Sequence, residues 1–268
     1  MASRLDRRPA KGARRFVAER LARAMGELSK PGPLEPRVHG ARRDLRKARA
    51  ALKLLRPAIG KSSYKKENAL CREAGRLLSS ARDAQALAAA WRGLHVRAPR
   101  ISRALADEAR EASESLDSVK SLTFLSMARS RAKKIAPSKS GWGGLKAGLR
   151  RSYADARRAW KRARRSGDDR DFHEWRKRVK DERYQLELLA GGSGALERLS
   201  DLLGDDHDLV VLRGKLGPGD AAALRAIGSK QARLRRKALA LAEMVYAQSA
   251  AAYERRVRRA WKRARDLK

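Results

Sequence analysis

The sequence predicts an all-α protein built by duplication, and three observations support this prediction. Alanine, leucine and arginine, which all favour helices, dominate the 268 residues. β-branched residues are sparse, and no region shows the alternation typical of strands. A helix pattern with an unusual arrangement of charge occurs twice, once in each half. We therefore expect helices throughout and no sheet.

The net charge is the strongest feature of the composition. The chain has 66 Lys+Arg against 30 Asp+Glu, a net charge of +36, and 42% hydrophobic residues, enough for a core. Residues 1–140 carry 34 basic and 13 acidic residues (net +21), and residues 141–268 carry 32 and 17 (net +15). The expected partner is a polyanion that meets both halves: nucleic acid, an anionic membrane or polymeric phosphate.

Three further features of the sequence narrow the class of protein that we expect. A single cysteine, Cys71, excludes an internal disulfide and fits a reducing compartment. No apolar run approaches the roughly 20 residues of a membrane span. The basic N-terminus lacks the apolar stretch of a secretory signal. We expect a cytoplasmic protein that does not enter a membrane.

The duplicated helix begins with a histidine in both copies. HGARRDLRKARAALKLL starts at His39, and HEWRKRVKDERYQLELL starts at His173. Offsets 0, +3, +4, +7 and +10 from each histidine share one face of a helix, because each residue turns the chain by about 100°. The basic residues at these offsets are Arg42, Arg43, Arg46 and Arg49 in the first copy, and Arg176, Lys177, Lys180 and Arg183 in the second.

The opposite face of each copy is apolar. Offsets −1, +2, +6, +13 and +16 lie on that side. They are occupied by Val38, Ala41, Leu45, Leu52 and Leu55 in the first copy, and by Phe172, Trp175, Val179, Leu186 and Leu189 in the second. Each copy is therefore predicted to be a helix with a buried back and a basic front.

A basic helix face is often only a solvated face. Solvated faces normally mix charges of both signs, whereas these are nearly all positive, and like charges one turn apart repel each other. The same residue types also recur at the same offsets in both copies. We therefore interpret the two faces as an anion-binding site, and we add Lys47 and Lys53 of the first copy to the candidate residues.

A second shared element follows each histidine helix. LLSSARDAQAL (Leu77–Leu87) aligns with LLGDDHDLVVL (Leu202–Leu212), which places Asp83 on Asp208. An aspartate amid so much positive charge would orient an arginine and offset repulsion. The alternative is that it caps the helix that follows. We favour the role of structural partner over a catalytic role.

The first half is expected to open with a loose basic tail over residues 1–11, followed by a helix over 11–28. Prolines and a glycine in residues 29–36 break the chain before the first histidine helix, which ends near Leu55. Ser62 or Ser63 is a candidate N-cap for a third helix over 63–79. Two more helices are expected over 99–112 and 115–136.

PSKSGWGG (residues 137–144) is the best boundary and separates halves 12–140 and 141–268. A helix over 145–165 follows, and four of its basic residues join the candidate site: Arg150, Arg151, Arg157 and Lys161. Asp169 or Asp171 is expected to cap the second histidine helix. A short helix over 196–203, the aspartate element, and helices over 221–246 and 250–265 complete the chain.

Together, the duplicated histidine helix and the aspartate element resemble the CHAD domain, the conserved histidine α-helical domain, over nearly all of the chain from residue 12. The resemblance implies two pseudo-symmetric four-helix bundles that form one CHAD domain. It also implies a basic surface or channel that binds inorganic polyphosphate without catalysis, needs no cofactor or metal, and in some members associates with polyphosphate granules. The sequence departs from the family pattern in places, for example at Glu187, which stands where the first copy has Lys53, and we expect the second histidine helix to keep the more typical pattern.

Two other functions remain open at this stage. Charge alone also fits a basic helical protein that binds nucleic acid non-specifically. A histidine-dependent phosphotransferase or phosphatase is the other alternative, but the sequence shows no clustered carboxylate ligands, no HExxH motif and no Gly-rich phosphate loop.

Overall fold

The computed structural model describes residues 8–266, apart from the side chains of residues 81 and 82. Within that range it contains eleven α-helices, one short 3-10 helix and no strand, which confirms the all-α prediction. The first six helices are α1 (Pro9–Ser29), α2 (Leu34–Ile59), α3 (Lys61–Leu77), α4 (Ser79–Arg92), α5 (Pro99–Glu114) and α6 (Ser118–Lys134). The others are α7 (Gly143–Ser166), α8 (Asp169–Ala190), α9 (Gly194–Arg213), α10 (Ala221–Val245) and α11 (Ala250–Asp266). None of these described helices is long and apolar enough to span a bilayer.

The two histidine-headed stretches form α2 and α8, with the predicted burial. All ten residues of the predicted apolar faces are buried, and none is more than 7% exposed. Proline does not stop α2 at position 57, because that position lies in the last turn and the helix ends at Gly60, whose φ of 82° suits glycine.

Several predicted helix starts were wrong. Gly60 precedes α3, so Ser62 and Ser63 lie inside the helix and cap nothing. Asp168, without a capping side-chain bond, holds the N-cap position of α8. Neither Asp169 nor Asp171 caps that helix. The predicted tail overlaps α1 at residues 9–11, where Ala10 is buried, and its residues 1–7 lie outside the described residues.

The aspartates of both shared elements lie inside helices, not at helix starts. Asp83 is within α4 and Asp208 is within α9, so neither caps the helix that follows. The helix predicted for residues 196–203 continues through the aspartate element to Arg213. The continuation is stabilised by Asp206, which is buried and accepts a hydrogen bond from Arg235 Nε at 2.7 Å.

One main core runs through both halves of the molecule. α1 and α3 each pack on both α2 and α6, and α2 also packs on α7 and α8 of the second half. The contact with α7 is very close, because a Cβ added to Gly148 would lie 1.9 Å from the carbonyl oxygen of Leu54. Only glycine permits this approach of the two backbones. Trp and Tyr side chains of α7 and α11, together with Tyr246 at the C-cap of α10, fill the same core.

A second, smaller core joins the halves at another place. The hairpin of α4 and α5 from the first half shares this core with α9 and α10 of the second half. Its buried members are Leu87, Trp91, Ile101, Leu105, Leu209, Leu212, Ala223, Ile227 and Leu234. The two halves therefore interlock, and this fixes α2 and α8 relative to each other.

A candidate anion-binding groove

The histidine helices α2 and α8 lie side by side and antiparallel. Lys47 Nζ is 2.5 Å from Glu187 Oε1, and Lys53 Nζ is 2.6 Å from Asp181 Oδ2. Residue numbers rise along one helix as they fall along the other. His39 and His173 therefore stand at opposite ends of the pair, about 33 Å apart along the axis at 1.5 Å per residue.

The two ion pairs are the same contact made twice with the copies exchanged. Each joins the residue at offset +8 of one copy to the residue at +14 of the other, and the first copy supplies both lysines while the second supplies both carboxylates. This explains why Glu187 stands where the first copy has Lys53. The side chains of Lys47 and Lys53 are only 14% and 13% exposed, so both hold the seam between the copies together.

A groove of about 560 Å³ lies where the C-terminal half of α2 meets the N-terminal half of α8. Eight basic side chains and two carboxylates line it, together with a histidine, two tyrosines and an asparagine. The lining residues are Arg46, Arg49, Lys53, Arg56, Tyr64, Asn68, Asp155, His173, Arg176, Lys177, Arg178, Lys180, Asp181 and Tyr184. The antiparallel packing decides this membership, because it brings late residues of α2 beside early residues of α8.

A second concavity of about 310 Å³ continues the groove between α2 and α3. Arg46 and Arg49 line both concavities, and Arg42, Arg72 and Arg76 line the second alone. We call the two concavities together the basic track. Along α2 the track runs from Arg42 to Arg56, about 21 Å at the rise of an α-helix.

Arginines at matching offsets tie each histidine helix to the helix that follows. At offset +10, Arg49 Nε donates to Asn68 Oδ1 on α3 at 3.0 Å. The equivalent Arg183 donates to Ser200 Oγ at 3.4 Å and to Asp201 Oδ1 at 3.3 Å on α9. Arg183 does not line the basic track. The guanidinium groups at +10 thus hold the neighbouring helices in place.

Arg42 at offset +3 contacts the aspartate element. Its Nη1 donates to Ser79 Oγ at 2.8 Å, and its Nη2 donates to Asp83 Oδ1 at 3.3 Å. The Asp83 side chain is 65% exposed, so this ion pair is screened by solvent and adds little stability. It does orient the Arg42 side chain, which is 11% exposed, within the second concavity. Asp208, which aligns with Asp83, lies on α9. Burial, followed by the charge of Asp208, raises the pKa of the Asp205 carboxyl.

The two histidines have different surroundings. His39 is exposed and lines neither concavity. His173 lines the groove, and its Nδ1 is 3.1 Å from Nδ1 of His207 on α9, with the ring centroids 4.3 Å apart. Burial, followed by the nearby Arg176, lowers the pKa of His207 to about 3, and burial and Lys177 also lower the pKa of His173. Both rings are therefore neutral near pH 7.

The four candidate residues of α7 lie elsewhere. Arg150 Nη2 is 2.9 Å from Glu254 Oε2, a buried carboxylate of α11, and this pair holds α7 to α11. Arg151 and Lys161 are exposed and Arg157 is half-buried, and none of the four lines the basic track. Arg43 is exposed and also lies outside the track.

The structure adds lining residues that the sequence analysis missed. Arg72 and Arg76 are one turn apart on α3, a spacing that was the available signal for a further basic face. Tyr64 gave no such signal. Its ring lies under the Arg56 guanidinium at 5.3 Å, and burial raises the pKa of its hydroxyl. His207, which pairs with His173, belongs to a DDHD stretch that is absent from the first copy.

No group of three or more histidine, cysteine or acidic side chains in the described part of the chain is arranged to hold a metal ion.

Comparison with known families gives a positive result. The model of the CHAD domain matches residues 32–217, well over half of the sequence. The chain belongs to the CHAD domain family.

This CHAD domain was also compared with solved structures and curated proteins. The crystal structure of the CHAD domain from the plant Ricinus communis is similar, with a TM-score of 0.49 and 21% identity over 97% of this chain and 93% of that one. No curated protein matched the sequence. The family match alone supports the assignment, and it confirms the resemblance inferred from the histidine helices.

Proposed function

We propose that this CHAD domain binds inorganic polyphosphate in the basic track and does not react with it. The observation that carries the proposal is the convergence of α2 and α8 on one groove, with eight cations against two carboxylates. Packing so many like charges together costs stability, and a bound polyanion would offset that cost.

The shape and chemistry of the track suit a linear chain of phosphates. It extends about 21 Å along α2, and its cations follow that helix at intervals of one helical turn from Arg42 to Arg49. Arginine forks can contact two phosphate oxygens at once, and lysines add point charges. Contacts of this kind recognise phosphate and read no bases.

Nucleic acid is the rival partner, and competition separates the two. Labelled long-chain polyphosphate is bound to the protein and displaced by increasing amounts of unlabelled polyphosphate, DNA, RNA or ATP, with every concentration expressed as total phosphate. We expect polyphosphate to displace the label at far lower concentration than the other three. Equal or better displacement by DNA or RNA would replace the proposal with nucleic-acid binding.

An enzymatic role is tested with the same ligand. Long-chain polyphosphate is incubated with the protein, with and without divalent cations, and released phosphate is measured against a blank. We expect no release above the blank. Release that is lost in His173→Gln would instead favour a histidine-dependent phosphatase.

A further inference from the structure

We propose that the His173–His207 pair takes up one proton when a polyanion enters the groove, so that His207 acts as a positioning residue for a cationic His173. This inference rests on the proposed polyphosphate binding and adds a pH dependence to it. The observation behind it is the 3.1 Å contact between the two Nδ1 atoms at the edge of the basic track.

The contact itself determines how many protons the pair can hold. At this distance one Nδ1–H donates and the other Nδ1 accepts through its lone pair. A first added proton goes to Nε2 of the donating ring and leaves the bond intact, now charge-assisted. A second proton would have to occupy the accepting Nδ1 and would break the bond. The pair is therefore built to hold no more than one positive charge.

The surroundings decide when that charge appears. In the free protein, Arg176, Lys177 and Lys180 oppose protonation of both rings, whereas Glu174 favours it at His173. The helices around the pair carry further charged groups, among them Asp155 on α7, Arg46 and Arg49 on α2, Asp205, Asp206 and Asp208 on α9, Lys230 and Arg235 on α10, Asp169 on α8 and Asp83 on α4. α11 approaches α8 near Glu182, about 180° around the helix from His173.

A bound polyanion reverses this balance. Its negative charge neutralises the basic side chains next to the rings and attracts a proton to the pair. His173 is the ring that lines the groove, so it takes the charge and His207 supplies the accepting nitrogen. Polyphosphate should therefore bind more tightly as the pH falls, because the complex holds more protons than the free protein.

The expected effect is measurable across the neutral range. We expect the dissociation constant for polyphosphate to fall about tenfold from pH 8 to pH 6, the change that corresponds to an average uptake of half a proton over this range. Titration calorimetry at pH 7 in Tris and in PIPES, whose ionisation enthalpies differ, gives the number of protons taken up directly. Long-chain polyphosphate is used because only its two terminal phosphates titrate near neutral pH.

The four histidines provide matched variants. His173→Gln should abolish the proton uptake and the gain in affinity at low pH. His207→Phe removes the accepting nitrogen, so the gain in affinity at low pH should fall below about twofold while the affinity at pH 8 is retained. His207→Asn keeps a hydrogen-bond acceptor and should restore much of the gain in affinity at low pH. His95→Gln, in the loop between α4 and α5, and His39→Gln are controls that should leave the uptake unchanged.

The outcomes separate the two proposals. Binding with equal affinity at pH 6 and pH 8 and no proton uptake would overturn this inference and leave the proposed function intact. Uptake that persists in His173→Gln would assign the proton to another group and would also overturn it. Absence of binding at every pH would defeat the proposed function itself.

Discussion

Arg46 offers the sharpest test of the basic track. It lies at offset +7 of α2, lines both concavities and is half-buried. Among the residues that the structure describes, no carboxylate pairs with it. Its charge is therefore available to a ligand, and its removal should change binding without breaking a contact that holds the fold.

The expected loss of affinity on removing Arg46 follows from the half-buried position of its side chain. A charge-assisted hydrogen bond contributes about 1.5 to 3 kcal/mol. The interaction of two unit charges at about 4 Å, roughly 1 kcal/mol in water and 4 kcal/mol near a protein surface, brackets that value. Arg46→Gln should therefore weaken polyphosphate binding by about 10- to 100-fold, since each 1.4 kcal/mol is about tenfold. The dependence of affinity on salt should also become shallower by about one phosphate contact.

The assay is titration calorimetry or anisotropy with long-chain polyphosphate at several salt concentrations. Arg103→Gln is the matched control, because it removes the same charge from an exposed position on α5. Circular dichroism should show unchanged helicity for both variants. Equal losses in the two variants would mean that net charge, not the track, provides binding. No loss in Arg46→Gln would remove the track from the site.

Three further predictions concern stability. Lys47→Glu should lower the free energy of unfolding by about 1 to 2 kcal/mol in urea titrations, because it faces Glu187 with a like charge, and adding Glu187→Lys should restore most of the loss. Burial raises the pKa of Glu182 to about 7, above its value in the unfolded chain. The free energy of unfolding therefore falls as the pH rises from about 4.5 to 7, because the buried carboxyl must lose its proton. Glu182→Gln should raise the free energy of unfolding by about 3 kcal/mol at pH 8 and should hardly change it at pH 4.5. Gly148→Ala should destabilise by more than about 2 kcal/mol, whereas Gly143→Ala, whose added Cβ would lie 3.5 Å from Lys139 Cδ, should change the melting temperature little. The first prediction is contradicted if the charge swap does not restore stability. The second is contradicted if the stability of Glu182→Gln depends on pH as that of the unmodified protein does. The third is contradicted if the two glycine variants have equal effects.

Much of the local structure was predictable because it depends on periodicity. The positions from Val38 to Leu55 and from Phe172 to Leu189 that were predicted to be apolar faces are buried as expected. Helix ends were less predictable. Ser62 and Ser63 are typical capping residues, but Gly60, with its positive φ, ends α2 so late that α3 begins before them.

The site was predictable only as a set of faces. Periodicity places His39 and His173 on equivalent faces, yet only His173 lines the groove. The antiparallel register of α2 and α8 decides that difference, and long-range packing sets the register. The same register uses Lys47 and Lys53 in ion pairs across the seam and brings Arg56 into the groove. No spacing within either helix contains that information.

By itself the sequence determined an all-helical CHAD domain, its duplication and the basic front of each histidine helix, because helix formation and amphipathicity are properties of nearby residues. Tertiary structure alone decided which basic side chains meet in the track, and it placed His207 against His173 from a helix 34 residues further along the chain. The physical reason is that charges separated in sequence interact only after the core has fixed the helices that carry them.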